Sequence, residues 1–344
     1  MSEQAILSKK FLEVNGLHIH FPTDMGMLKA VNGIDFIVER GKTLGIVGES
    51  GCGKSVTSKA LIGLNPKEFQ TTGEIFLYDE EENKTNLLDY HPTSKQMRMI
   101  RGKKISMIFQ EPMTAFSPLY TIGNQIMEVI LLHQTKNKKE AKQLAINMLE
   151  KVGISNAEGR FHQYPHEFSG GMRQRAMIAM ALSCNPELLI ADEPTTALDV
   201  TIQAQVLELM KKLQADFKMS ILFITHDLGI VAEMCDDVAV MYLGQIVEKA
   251  PVRDIFKNPK HPYTKGLLHS IPTLGQKNER LASIEGTVPL AINMPEMCGF
   301  YDRCSERIEG VCNQAYPAPI SMTENHSVRC FLYDGKTEGR DGNG

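Results

Sequence analysis

The run "TLGIVGESGCGKSVTSKALIGL", Thr43 to Leu64, restricts the fold more than any other stretch of the chain. Its first five residues read as a buried strand. Gly48 to Ser55 then match G-x-x-x-x-G-K-S, and a helical pattern follows. This strand–loop–helix context is what a phosphate-binding loop requires. Glycines let backbone N–H groups turn inward around phosphate oxygens, and the following helix N-terminus adds its positive dipole end. Gly48, Glu49, Ser50, Gly51, Cys52, Gly53, Lys54 and Ser55 are therefore the expected nucleotide-binding segment. Lys54 is expected to reach the terminal phosphates, and Ser55 to hold Mg²⁺ through its hydroxyl. The motif says nucleoside triphosphate, and nothing yet about the task.

A chain of 344 residues has room for one large domain or two smaller ones. A hydrophobic content of 42% with 23% charged residues reads as globular. The net charge of -4 gives no overall basic surface for nucleic acid. The N-terminal "MSEQAILSKKFLEV" shows no signal-peptide pattern. The longest apolar runs, such as "VAVMYL", are far short of the roughly 20 residues of a membrane helix. Any membrane spans are expected on other chains. Seven cysteines without an export signal suit a reducing cytosol.

Short apolar runs alternate with helical patterns. "TLGIV", "ISMIF", "ELLIAD", "SILFIT" and "DVAVMYL" read as buried strands. Ala141, Leu144, Ala145, Met148, Leu149 and Val152 share one helical face, as do Ile202, Val206, Leu209, Leu213 and Phe217. Such alternation predicts an α/β fold with a mainly parallel sheet. "MYLGQIVEKAP" reads as strand, Gly turn and second strand. After Pro251 the character changes. Seven prolines interrupt the chain between 259 and 319, and four of the seven cysteines lie there. The reading is a domain over 8–255, a small irregular Cys-containing extension over 256–333, and a flexible tail over 334–344.

More chemistry sits on the predicted strand ends. "LLIADEP" ends a buried strand in Asp192 and Glu193. In phosphate-loop enzymes an acid at this strand end supports Mg²⁺, and the next acid is placed to polarise the attacking water. "FSGGMRQR" sets Ser169, Gly170 and Gly171 at a helix start, a second anion-binding terminus. Gln110 follows "ISMIF" and His226 follows "SILFIT", each just past a strand.

Taken together, Gly48–Ser55, Gln110, Ser169–Met172, Asp192–Glu193, Asp199 and His226, in that order, resemble an ATP-binding cassette (ABC) ATPase over about the first 255 residues. The resemblance implies a phosphate-loop ABC ATPase domain with a helical subdomain at about 111–182. It also implies a head-to-tail sandwich of two such domains, with ATP between the phosphate loop of one and the S-G-G segment of the other. On that pattern Glu193 is the catalytic base and His226 contacts the γ-phosphate. Gln110 joins Ser55 and Asp192 at Mg²⁺ and links the γ-phosphate site to the transmembrane partner. Asp199 crosses the dimer interface, and Phe21 stacks on adenine. Met172 stands where the family has Gln, and Cys52 where a smaller residue is usual. Both leave the backbone phosphate ligands in place.

The chain is too short between Gln110 and the S-G-G segment, 58 residues, for the coiled-coil insertion of DNA-processing members. It has one phosphate loop where ribosome-acting members commonly have two. "QEPMTAFSPLYTIGNQI" and "NPKHPYTKGLLHSIP" resemble the ATPases of oligopeptide and dipeptide importers. That resemblance implies a second, related ATPase subunit, two transmembrane permease subunits, an extracytoplasmic substrate-binding protein, and a seat on the cytoplasmic face of the membrane. Related importers of nickel or other small solutes share these motifs, so cargo stays open. The apolar Met113, Phe116, Leu119 and Tyr120 read as a contact for a permease helix or as an internal cluster. Cys298, Cys304, Cys312 and Cys330 are spaced C-x5-C-x7-C-x17-C. Zinc sites usually pair more tightly, and the spacing leaves four free thiols and a metal site equally open. The importer resemblance implies a four-iron (4Fe-4S) cluster on these four thiolates.

Overall fold

The computed structural model describes residues 9–110, 115–196, 198–270 and 284–335. Two sheets frame it. The first is antiparallel, of order β2-β1-β4-β5: β1 Lys10–Thr23, β2 Gly26–Glu39, β4 Gln70–Tyr78 and β5 Lys84–Asn86. The second contains β3 Thr43–Val47, β6 Ile105–Ile108, β7 Leu188–Asp192, β8 Ser220–Thr225, β9 Asp237–Tyr242, β10 Gln245–Pro251, β11 Ile320–Thr323 and β12 His326–Val328. Its order is β11-β12-β10-β9-β3-β8-β7-β6.

The five strands expected from the sequence, β3, β6, β7, β8 and β9, form the parallel part of this second sheet, with β6 at its edge. Their residues alternate between two cores, as the two-residue period of a strand requires. Leu44, Ile46, Leu188, Ile190, Leu222, Ile224, Ala239 and Met241 face the first sheet and the helix Lys54–Leu61. Val47, Leu189, Ala191, Ile221, Phe223, Val238 and Val240 face a helical layer. A parallel sheet covered on both sides demands such continuous apolar runs.

The helical layer holds Ile122–His133, Lys138–Lys151, Ala157–Phe161, Gly170–Leu182 and Val200–Phe217. Side-chain oxygens of Thr121, Asn137, Ser169 and Asp199 cap four of these helices by accepting backbone N–H bonds. Both apolar faces read from the sequence pack inward: Ala141, Ala145, Met148, Leu149, Val152, Val206 and Leu213 are buried, and Leu144, Ile202, Leu209 and Phe217 pack against the same core. Phe116 is also a core residue, at 3% exposure, whereas Leu119 and Tyr120 are exposed. The apolar segment after Gln110 is thus split between interior and surface, and Met113 lies outside the described residues.

The hairpin β9–β10 turns through Leu243 and Gly244, both at positive φ. The residues after it differ from the expectation of an irregular extension. β12 pairs antiparallel with β10, Lys249 opposite Ser327, and β11 closes on β12. The extension thereby covers the edge of the central sheet. His326 and Val328 alternate inward along β12 and are buried. Of the tail expected over 334–344, only residues 334 and 335 are described, and Ser8 lies outside the described residues.

Candidate functional site: a nucleotide cleft at the strand ends

The phosphate loop leaves β3 at Val47 and enters its helix at Lys54. Two glycines are required by close approach. A Cβ on Gly48 would lie 2.1 Å from the Met241 carbonyl oxygen, and one on Gly53, at φ +105°, 2.3 Å from that of Ala30. Lys54 is 5% exposed, and its ammonium donates to the carbonyls of Gly48 at 2.7 Å and Glu49 at 3.0 Å.

β7 lies two strands from β3 and ends at the same edge. The Asp192 carboxylate, 2% exposed, accepts from the hydroxyls of Ser55 at 3.0 Å and Ser58 at 3.2 Å. Burial pushes its pKa up, and the two serine hydrogen bonds oppose that shift. Glu193 follows at φ +47°, a left-handed conformation rare for a non-glycine residue. Its carboxylate accepts from the Gln110 amide at 3.0 Å and the Thr196 hydroxyl at 3.0 Å, and lies 3.3 Å from His226 Nδ1. Four separate strand ends thus bring Ser55, Asp192, Glu193, Gln110 and His226 together. Ser58 and Thr196 belong to this group and were not anticipated; isolated hydroxyls on a helix and a turn carry no pattern.

Of these groups Ser55, Gln110 and Glu193 line a cleft of about 310 Å³, together with Ser50, Gly51, Gly53, Lys54 and Phe21, while Asp192 and His226 do not line it. The Phe21 ring stacks on Phe69 at 4.0 Å and an interplanar angle of 7°. Gly48, Glu49 and Cys52 support the loop without lining the cleft. The Cys52 thiol is buried, and burial pushes its pKa up. Ser169, Gly170, Gly171 and Asp199 do not line the cleft either. Ser169 and Asp199 act within this chain as helix caps, on the N–H groups of Met172 and Ile202.

A hydroxyl and a carboxylate held together at a buried strand end form an oxygen donor set that suits Mg²⁺, which takes few protein ligands and keeps oxygens of substrate and water. The cysteines do not make a comparable case. Cys298, Cys304, Cys312 and Cys330 share one neighbourhood: the Cys298 N–H donates to the Cys312 carbonyl at 2.8 Å. Burial, with the other three thiols adding to it, pushes Cys330 up to about 12, and burial with Cys312 and Cys304 pushes Cys298 up to about 11. Among the described residues no group of three or more His, Cys, Asp or Glu is arranged to hold a metal ion. The expected iron–sulfur cluster finds no support in this arrangement.

Residues 31–196 match the family model described as ABC transporter, and 247–312 match that of the oligopeptide/dipeptide transporter C-terminal region. The dipeptide transport ATP-binding protein DppD of Bacillus subtilis is 48% identical over 330 residues, which cover 96% of this chain and 97% of that protein. The oligopeptide transport ATP-binding protein AppD of the same organism is 50% identical over 323 residues, covering 94% and 97%. Among solved structures, a dimeric bacterial ABC transporter cassette superposes with a TM-score of 0.61 at 22% identity, over 70% of this chain and 99% of that one. With its phosphate loop, acidic strand end and C-terminal region all matched in order, the chain belongs to the ABC transporter family, among relatives of the oligopeptide and dipeptide transport ATP-binding proteins.

Proposed function

We propose that this chain is the ATP-hydrolysing subunit that energises import of oligopeptides or dipeptides across the cytoplasmic membrane. ATPase activity follows from family membership; the cargo is inferred from the named relatives and from the matching C-terminal region. The peptide reading is favoured over nickel or another small solute, and over a soluble non-transport ATPase, because both named relatives are peptide transport subunits. The single observation that carries the chemistry is the Glu193 carboxylate, hydrogen-bonded by Gln110 next to the Ser55–Asp192 pair.

In this reading the backbone of the phosphate loop and Lys54 bind the β- and γ-phosphates. Ser55 and Asp192, with Gln110, would hold Mg²⁺, which when bound would supply positive charge beside the phosphates. Glu193 accepts the proton of the attacking water, and Gln110 and His226 orient that water and the γ-phosphate. The open face of Phe21 takes the adenine. Ser169, Gly170, Gly171 and Asp199 act in trans, completing the cleft of a second, related ATPase subunit. The working unit is a cassette over 8–255, with its helical subdomain at about 111–182, joined to the extension over 256–333.

Among the described residues no helix is long and apolar enough to cross a membrane. Two permease subunits would supply the spans, an extracytoplasmic binding protein would deliver the peptide, and this chain would sit on the cytoplasmic face. The test is reconstitution with the permeases and partner ATPase in liposomes. ATP hydrolysis should rise when binding protein loaded with peptide is added, and labelled peptide should enter with ATP. Hydrolysis that responds to nickel-loaded but not peptide-loaded binding protein would overturn the cargo assignment.

A further inference from the structure

The C-terminal extension reaches the nucleotide cleft at two places. The first is the phosphate loop. Arg303 lies 254 positions from Glu49, yet its guanidinium grips the Glu49 carboxylate through both oxygens, at 2.7 and 3.0 Å. The Arg303 side chain is 5% exposed. Its remaining N–H groups donate to the Tyr242 hydroxyl and to the carbonyls of Ile284, Glu285 and Gly286, so its direction is fixed from several sides. The backbone N–H of the same Glu49 donates to the hydroxyl of Tyr263 at 2.9 Å, and Tyr263 is fully buried. The extension therefore holds one loop residue by both its main chain and its side chain. Bidentate, charge-assisted pairs of this kind fix geometry strongly.

The second place is the far end of the cleft. Phe21 pairs with Leu28 across β1 and β2, and Leu28 bridges in turn to Ile292. The Lys29 N–H donates to the Ala291 carbonyl at 3.0 Å, and the Asn293 N–H donates to that of Met27 at 3.1 Å. The Asn293 amide also bonds Met25 and Met27. Residues 291–293 thus run along the free edge of β2. They bring Leu290, 69% exposed, into the wall of the same cleft as Phe21.

We propose that the extension is a working part of the nucleotide site. Arg303 and Tyr263 are positioning residues that set the phosphate loop through Glu49. Leu290 is a binding residue that supplies apolar wall to the base end of the cleft. The proposal rests on the reading that this cleft binds ATP. It adds that the two contacts act on different parts of the ligand.

That difference makes it testable on the full-length chain, by equilibrium binding of ATP and of inorganic tripolyphosphate, which has no base. Arg303→Ala should weaken both by about tenfold, the effect of losing a hydrogen bond to a charged group. Arg303→Lys should recover part of that loss. Glu49→Ala should match Arg303→Ala, and the double variant should be no worse than either single one, because both remove the same contact. Leu290→Ala should weaken ATP by about fivefold, the effect of losing part of the apolar contact that a bound base would cover, and leave tripolyphosphate unchanged. Thermal unfolding followed in parallel separates loss of fold from loss of position. If Arg303→Ala does not fold, Glu49→Ala carries the same test from the loop side. ATP affinity unchanged in folded Arg303→Ala, or strictly additive losses in the double variant, would overturn the positioning role. Equal loss of ATP and tripolyphosphate in Leu290→Ala would overturn the base wall. A wild-type chain that binds neither ligand would overturn the nucleotide reading itself, and this inference with it.

Discussion

The hydroxyl of Ser55 donates to the carboxylate of Asp192 at 3.0 Å, across 137 positions of sequence. The phosphate-loop helix and the end of β7 are thereby held together at the point where Mg²⁺ is proposed to sit. Ser55→Ala removes one proposed metal ligand and one of the two hydroxyls that offset the burial of Asp192. Its affinity for ATP with Mg²⁺ should fall about tenfold, the effect of a single lost interaction with a charged group. Without metal, in excess EDTA, wild type and variant should bind ATP alike. Binding isotherms with and without Mg²⁺ decide it: an equal defect in both conditions would mean that Ser55 acts on the fold and not on the metal.

The apolar residues after Gln110 divide into two kinds, and the division has separate consequences. Phe116 is buried in the helical core, so Phe116→Ala should cost about 3–5 kcal/mol of stability. Leu119 is 79% exposed and Tyr120 58%. Replacing both with Ser should change stability by no more than about 0.5 kcal/mol per site. If this surface meets a permease, that double variant should also lose transport-coupled hydrolysis in the assembled complex. Urea denaturation of the isolated chain checks the first pair of statements, and ATPase assays of the complex check the last.

His261 caps the helix Pro262–His269, its Nδ1 accepting from the Tyr263 N–H at 3.0 Å. Burial, with Lys265 nearby adding to it, lowers its pKa from 6.5 to about 3. The unfolded chain therefore takes up a proton below pH 6.5 that the folded chain refuses. Stability is unaffected by this group above about pH 6.5 and falls as pH drops toward about 3. By pH 5 the loss should be ~2 kcal/mol. His261→Asn keeps a capping oxygen and should flatten that part of the profile. Denaturation midpoints from pH 8 to 5 test it; equal slopes for the two proteins would show that His261 is not the group responsible.

The central sheet was legible because its strands are buried on both faces, which writes them as unbroken apolar runs such as "ELLIAD" and "SILFIT". The turn through Leu243 and Gly244 was legible because Gly supplies a positive φ cheaply. Gln110 and His226 were found only through their order along the chain, since a single polar residue after a strand carries no pattern of its own. The docking of the extension left no such trace. Two short strands of three and four residues are too brief to show a period. The Arg303–Glu49 pair joins residues whose types are common on any surface. Phe116 was ambiguous for a related reason: an apolar residue in a loop reads the same whether it faces a partner or the interior. The four cysteines were read as a metal site from their grouping and from the resemblance. Grouping in sequence says nothing of whether the sulfurs converge at ligand distance.

The most direct test is phosphate release by the assembled complex carrying Glu193→Gln. The amide keeps the shape of the side chain beside Gln110, Thr196 and His226 but cannot accept a proton from water. General-base catalysis contributes about 10²–10⁴-fold. Turnover should fall by at least about a hundredfold while the affinity for ATP with Mg²⁺ stays within about twofold of wild type. Phosphate release at the wild-type rate would contradict it, and the attacking water would then have to be activated by some group other than Glu193.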